Sequence, residues 1–431
     1  MANAAEIVLE GRESKDSRGR PTVEVVLKVA GVEVTGDVPA GASKGEDEAK
    51  TVSVEQAISN IHGPIATIIR ESGANLAEHA GLLAIEKLII EKSGENYATL
   101  GANAVLPVSR ALWKAAAALH KQELSQYINA NETELASDGT VGFLMNIFNG
   151  GLHALKEGET LGEDRIDIQE IMVVPSAATY AEALEMGDKI DFALKGILTE
   201  KFSADVLTRA DEAGFSVKGL GSSTEAFGYV FDAIRAAGYE PGKDVKLALD
   251  VAAASFYNAE NKTYQFQGKS ISSQEMVDYL VGLVDKYEGC MLSIEDGLDE
   301  NDWDFWPVLT AELTKRDVVT IGDDLFVTQL PRLEQGIAIK AATAILVKVN
   351  QNGSMSGTFE VMKRARSAGM KCVISHRSGE TLDASIADIA YATGSMGLKT
   401  GDPQPEADFP DQSTWVRRAK YLRMVELEKL G

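Results

Sequence analysis

Cysteine is nearly absent: 431 residues contain only Cys290 and Cys372. Two thiols set beside apolar runs exclude the disulfide framework of a small secreted domain and predict a reduced, cytoplasmic protein. Basic residues are also scarce, 42 Lys and Arg against 65 Asp and Glu, for a net charge of −23. A surface of that sign repels polyanions and argues against nucleic acid as a partner. A small anion would have to be met by locally concentrated Lys, Arg or metal. No run reaches the ~18 apolar residues of a membrane-spanning helix. The first residues carry no basic-then-apolar targeting pattern. Hydrophobic residues make up 45%, enough for a sizeable core, so disorder is not expected. The length exceeds one ordinary domain and predicts two, one of them a large α/β barrel.

The rhythm of the chain divides it. EIVLEGRESKDS and PTVEVVLKVAGVEVTGDV read as paired strands, with β-branched alternation around a glycine turn. VSVEQAISNIHGPIATIIR, GLLAIEKLIIEKS and ANAVLPVSRALWKAAAALHKQEL read as helices. This predicts an N-terminal α+β domain over 1–138, closed by the polar stretch NANETELASDGT. From 139 to 431 short apolar runs alternate with helical stretches, as in a parallel sheet closed into a TIM-like barrel. KLALD ends at Asp250, MLSIED contains Glu295, VVTIGDD contains Asp323, AILVKVN contains Lys348, KCVISHR ends at Arg377 and GSMGLKTG contains Lys399. After Glu295 these residues recur about every 25 residues, the length of one strand–helix unit. The interval from Asp250 to Glu295 is longer and holds an extra segment, NAENKTYQFQGKS. Each charged residue therefore falls near the C-terminal end of a strand, where barrel active sites lie.

Each residue has a plain reading beside the chemical one. Asp250, Glu295 and Asp323 either cap strands or present hard oxygen ligands to Mg²⁺. Lys348 either snorkels from the strand end or is a general base, its pKa lowered by burial. Arg377 and Ser378 either pair with the next helix or receive a phosphate. Glu212 is either a solvated loop residue or an acid. His153 lies in a glycine-rich loop able to approach a ligand, and His376 beside Arg377. His62, His79 and His120 read as structural. Together the set suits removal of a proton alpha to a carboxylate, with a metal stabilising the enolate.

The motifs KDSRGRPTVEV, PAGASKG, MNIFNGGLHA, DIQEIMVVP, LALDVAAASFY, SIEDGLDENDWDFW, GDDLFVT, LVKVNQNGS, ISHRSGETLDASIADIAYATG and LKTG occur in that order. In this the chain resembles the enolase (phosphopyruvate hydratase) family over nearly its whole length. The resemblance implies a cap domain and an eight-fold αβ barrel with irregular first units. It also implies reversible dehydration of 2-phosphoglycerate to phosphoenolpyruvate, in a homodimer or higher homo-oligomer. By the same resemblance Asp250, Glu295 and Asp323 hold one Mg²⁺, and Ser43 closes over a second. Lys348 is the base and Glu212 the acid, with Glu170 beside it. Arg377 and Ser378 hold the phosphate and Lys399 the carboxylate, while His153 and His376 line the closed site. The chain departs from the family pattern on its loops. G-D-E-G-G is Ala210-Asp211-Glu212-Ala213-Gly214, S-G-A-S-T-G is Ala40-Gly41-Ala42-Ser43-Lys44-Gly45, and R-G-N-P is Arg18-Gly19-Arg20-Pro21. The connection after His153 is several residues longer than usual, and DPQPEADFPDQSTWVRR replaces R-S-[DE]-R after LKTG. Two further readings follow from these departures: a paralogous dehydratase of a related phosphorylated or phosphonylated hydroxy acid, and an enolase-like binding protein.

Overall fold

The protein is described by a computed structural model over residues 2–41, 45–137, 139–155, 165–210, 212–403 and 412–430. The first region opens with an antiparallel meander of β1 (Val8–Lys15), β2 (Pro21–Val29) and β3 (Val32–Asp37). The Ala30-Gly31 turn joins β2 to β3, both residues at positive φ. The helix Ala102–Leu119 packs on this sheet through an alanine-rich face. Gly36 on β3 permits the approach, since a Cβ there would lie 2.2 Å from the Pro107 carbonyl oxygen.

The second region is a closed barrel of eight strands: β4 (Gly142–Asn149), β5 (Glu170–Pro175), β8 (Val245–Asp250), β12 (Met291–Glu295), β13 (Val319–Gly322), β14 (Ala344–Val347), β15 (Lys371–Ser375) and β16 (Gly397–Lys399). β16 pairs back onto β4 and closes the ring. Helices cover the outside, so the strands are buried on both faces and read as continuous apolar runs. Leu144, Met172, Val174, Ala248, Ile321, Leu346 and Val373 form a separate apolar cluster on the strands, filling the interior. Among the described residues no helix is long and apolar enough to cross a membrane.

Two short pieces interrupt the regular alternation. β6 (Leu207–Arg209) and β7 (Phe215–Val217) form a hairpin attached to β4. β9 (Tyr257–Asn258), β10 (Thr263–Phe266) and β11 (Lys269–Ser272) make a small antiparallel sheet from the extra segment after Asp250. The expectation of irregular first units is met by β5, which runs antiparallel to both β4 and β8. No regular crossover helix lies between β4 and β5 among the described residues, only the short turn Gly151–Ala154. A parallel return needs such a crossover, whereas a direct return gives an antiparallel pair.

Candidate active site

The topology brings the charged strand ends to one mouth. Asp250, Glu295 and Lys399 are the last residues of β8, β12 and β16. Asp323 and Lys348 follow β13 and β14 directly, and Arg377 lies two residues past β15. Glu170 starts β5 opposite Asp250, so its antiparallel strand also presents it at the mouth. Asp250, Asp323, Lys348, Arg377, Ser378, Lys399, Glu170, Glu212, His153 and His376 line one cavity of about 480 Å³. Glu295 is fully buried behind it. A larger cavity of about 1040 Å³ opens where β4, β8 and β12 begin, near Gly142, Lys246 and Leu292. We assign the site to the smaller one, because there the strand-end carboxylates and cations converge.

Two lysines are embedded among the carboxylates. Lys399 Nζ donates to Asp250 Oδ2 and Glu295 Oε1, both at 2.8 Å, and lies 3.5 Å from Glu170 Oε2. Burial disfavours its charge, but Asp250, Glu170 and Glu295 outweigh burial and raise its pKa well above the ordinary value. Lys348 Nζ donates to Asp323 Oδ2, whose other oxygen accepts from Gln351 Nε2 at 3.1 Å. This corrects the expectation of a depressed lysine pKa. Burial does pull downward, but the Asp323 carboxylate prevails and the Lys348 pKa is raised.

Negative charge nonetheless exceeds what these lysines neutralise. Burial and the neighbouring Asp250 push the Glu295 carboxyl well above its usual range, and among the described residues Glu295 Oε2 has no hydrogen-bond partner. Asp296, at φ +42, accepts from the amides of Asp323 and Asp324 at 3.0 and 2.8 Å. It thereby ties the end of β12 to that of β13. Burial and Asp323 raise Asp324 to about 7. Buried hard oxygens with an orphaned carboxylate atom form a donor set that fits a divalent cation such as Mg²⁺. The described residues hold two acidic groups compact enough for an ion, Asp296–Asp323–Asp324 and His153–Glu170–Glu212. The trio Asp250–Glu295–Asp323 is not one of them. Its members are engaged by the two lysines.

The opposite wall carries the second group. Glu212 sits at the β6–β7 turn, which Arg209 clamps through the Ala213 carbonyl at 2.9 Å and through Asp191 and Asp402. The Arg209 guanidinium also lies over the Phe215 ring, 3.6 Å from its centroid. Glu212 is therefore buried rather than a solvated loop residue. Its Oε2 accepts from His376 Nε2 at 3.0 Å, and its Oε1 lies 4.0 Å from His153 Nε2. Burial opposes its charge, but His376, His153 and Arg417 bring its pKa well below the usual range. Burial and Glu212 raise Glu170 to about 7, and His153 Nδ1 is 3.4 Å from Glu170 Oε1. The glycines before His153 serve packing rather than ligand approach. A Cβ on Gly150 would lie 2.2 Å from the Ile166 carbonyl oxygen.

Ala213 takes φ +69, a left-handed backbone that costs a non-glycine residue roughly 1–2 kcal/mol. Glycine gives back about 0.4–1 kcal/mol through the unfolded chain. Ala213→Gly is thus expected to raise stability by about 0.5 kcal/mol, read as a higher urea midpoint. A lower midpoint would contradict the strain.

Arg377 forms a two-pronged pair with Glu48, at 3.1 and 3.2 Å, and its amide donates to Glu380 Oε2 at 3.3 Å. Ser43 lies outside the described residues, as do most of the lengthened connection after His153 and residues 404–411 of the run after LKTG. His62 accepts from the Gly11 amide, His79 meets Tyr127 and Glu132, and His120 bonds the Ala77 carbonyl, all within the first region. Sequence reasoning missed Glu48, Asp296, Asp324, Gln351, Arg209 and Arg417. Asp296, Asp324 and Gln351 were within reach, being one to three residues from predicted site positions. Nothing local marks Arg417.

Residues 141–426 match the family model described as the enolase C-terminal TIM barrel domain, and residues 7–128 match the enolase N-terminal domain.

Proposed function

Since the chain belongs to the enolase family, we propose that it is a carbon–oxygen lyase catalysing the Mg²⁺-dependent, reversible dehydration of 2-phosphoglycerate to phosphoenolpyruvate in glycolysis and gluconeogenesis. The observation that carries this reading is the gathering of Lys348, Lys399, Arg377, Glu212 and the carboxylates Asp250 and Asp323 around one cavity of about 480 Å³, with Glu295 behind it. Asp250, Glu295 and Asp323 would hold one Mg²⁺, and Ser43 would help hold a second. When bound, the metal supplies Lewis-acid stabilisation of the charge that develops on the substrate carboxylate.

The chain's own groups do the rest. Arg377 and Ser378 orient the phosphate; the Glu48 pair leaves the guanidinium preset in one plane, with a carboxylate in the place of an anionic guest. Lys399 faces the substrate carboxylate. Lys348 Nζ, which Asp323 keeps charged in the free site, has to give up its proton to solvent first; as the free amine it takes the proton from C2, and the C–H electron pair becomes the C2–C3 double bond. Glu212, ionised in the free site beside His376, His153 and Arg417, has to take up a proton in the substrate complex and gives it to the hydroxyl leaving C3, so that water departs. Glu170, raised toward neutrality by burial and Glu212, supports the proton inventory on that side, and His153 and His376 exclude water. We place the boundary between cap and barrel at 138/139, and take the protein to work in the cytoplasm as a homodimer or larger homo-oligomer.

The test is turnover of 2-phosphoglycerate by purified protein with Mg²⁺, followed by the enol absorbance and stopped by EDTA. Activity that persists in EDTA would remove the metal assignment. The strained alanine beside Glu212 favours one second reading, a dehydratase of a related phosphorylated or phosphonylated hydroxy acid. Rates on a panel of such acids separate the two.

A further inference from the structure

Arg417 lies on the C-terminal helix, Gln412–Leu430, and has no exposed surface. Burying a guanidinium costs several kcal/mol unless it is well partnered, yet among the described residues no carboxylate lies within ion-pair distance of it. Its Nε has no hydrogen-bond partner among the described residues, and its terminal donors go elsewhere. One terminal nitrogen donates to the Ser378 carbonyl at 2.8 Å. The other lies 2.5 Å from His376 Nδ1 and 3.5 Å from the Arg377 carbonyl.

A guanidinium has donors only and stays charged at any ordinary pH. The ring atom it meets, Nδ1 of His376, must therefore offer a lone pair. A neutral imidazole with a bare Nδ1 carries its hydrogen on Nε2, and Nε2 faces Glu212 Oε2 at 3.0 Å. Oε2 is then always an acceptor. A proton that pointed from Oε2 back at Nε2 would require the other tautomer, which Arg417 forbids. We propose that Arg417 is a positioning residue that fixes the tautomer of His376 and so confines the proton of Glu212 to Oε1, the oxygen on the His153 side. The assignment rests on Glu212 acting as the acid in the proposed reaction.

The surroundings agree. The charged groups acting on His376 are Glu212 from the β6–β7 turn, Arg417 from the C-terminal helix and Glu380 from the loop that follows. Burial and Arg417 prevail over the two carboxylates, and the imidazole pKa falls to about 4. The backbone that carries the ring is held as well: the His376 amide donates to the Lys399 carbonyl at 2.9 Å.

The direct test is the imidazole nitrogen spectrum of protein labelled with ¹⁵N-histidine. Only five histidines contribute, and His376→Asn identifies the one that matters. The expected result through neutral pH is a bare Nδ1 and a protonated Nε2. A protonated Nδ1 overturns the proposal whether or not the protein turns over 2-phosphoglycerate, so the two readings fail separately. Arg417→Met should give a mixture of tautomers or a titrating ring, and Arg417→Lys, which keeps a donor, should restore the wild-type pattern. Kinetically Arg417→Met should lower kcat about a hundredfold, the scale of a misdirected acid, with KM changed less than about twofold because Arg417 does not line the cavity. That loss should vanish in a His376→Asn background; an undiminished loss there would mean a merely structural role. If Arg417→Met does not fold, the wild-type spectrum and Arg417→Lys still decide.

Discussion

Replacing Lys348 by alanine is expected to abolish exchange of the C2 proton of 2-phosphoglycerate with solvent, slowing it by about 10⁴-fold, the upper end of what a general base contributes. Binding of the substrate should survive, since Arg377 and Lys399 are untouched. The measurement is wash-out of deuterium from C2-labelled substrate, which reports proton abstraction even when water is not lost. Exchange at the wild-type rate without Lys348 would transfer the role of base to another group. The substitution also breaks the pair with Asp323, and a carboxylate left buried costs roughly 3 kcal/mol. Folding must therefore be checked by thermal melting first. Mg²⁺ should recover much of that loss by binding the folded state alone.

Glu295→Gln should act with opposite signs on stability and on catalysis. Glu295 is fully buried, its Oε2 has no partner among the described residues, and burial with the neighbouring Asp250 already disfavours its charge. Glutamine keeps the shape and an acceptor for Lys399 while removing that charge, so the metal-free protein should be no less stable than wild type. The Mg²⁺ site, in contrast, loses a ligand. Several kcal/mol of charge stabilisation in such a site correspond to a fall in turnover of about 10³-fold, with a weaker Mg²⁺ isotherm by calorimetry. A variant with unchanged Mg²⁺ dependence would place the ion elsewhere, most simply at Asp296–Asp323–Asp324.

Much of this molecule can be read from the order of its residues. A barrel repeats one unit, and each unit of the second half carries one charged residue just where an apolar run stops. Asp250, Glu295, Asp323, Lys348, Arg377 and Lys399 could therefore be assigned to strand ends before any fold was known. What stayed hidden depends on partners that meet only in space. The direction of β5 is not written in EIMVVP, because a short apolar run looks the same whichever way it crosses a sheet. The state of Lys348 follows from Asp323 lying against it rather than from burial, the one term an apolar run announces. Arg417 sits amid the ordinary charges of a C-terminal helix, and only packing sets it against His376. Glu212 in sequence is an acidic residue in a small-residue turn; its burial comes from the clamp of Arg209 and the pairing of β7 with β4.

The reversed course of β5 has a consequence for how such a protein can change. Since β4 arrives at the mouth and β5 departs from it, His153 and Glu170 stand at the two ends of a single connection and both line the cavity. Adding residues between those ends alters no strand register and displaces no helix. Its chain-entropy cost rises only logarithmically, roughly 0.6 kcal/mol for each doubling in length. By that arithmetic the longer stretch that follows His153 in this chain is an inexpensive place for selection to add residues without changing the strands on either side.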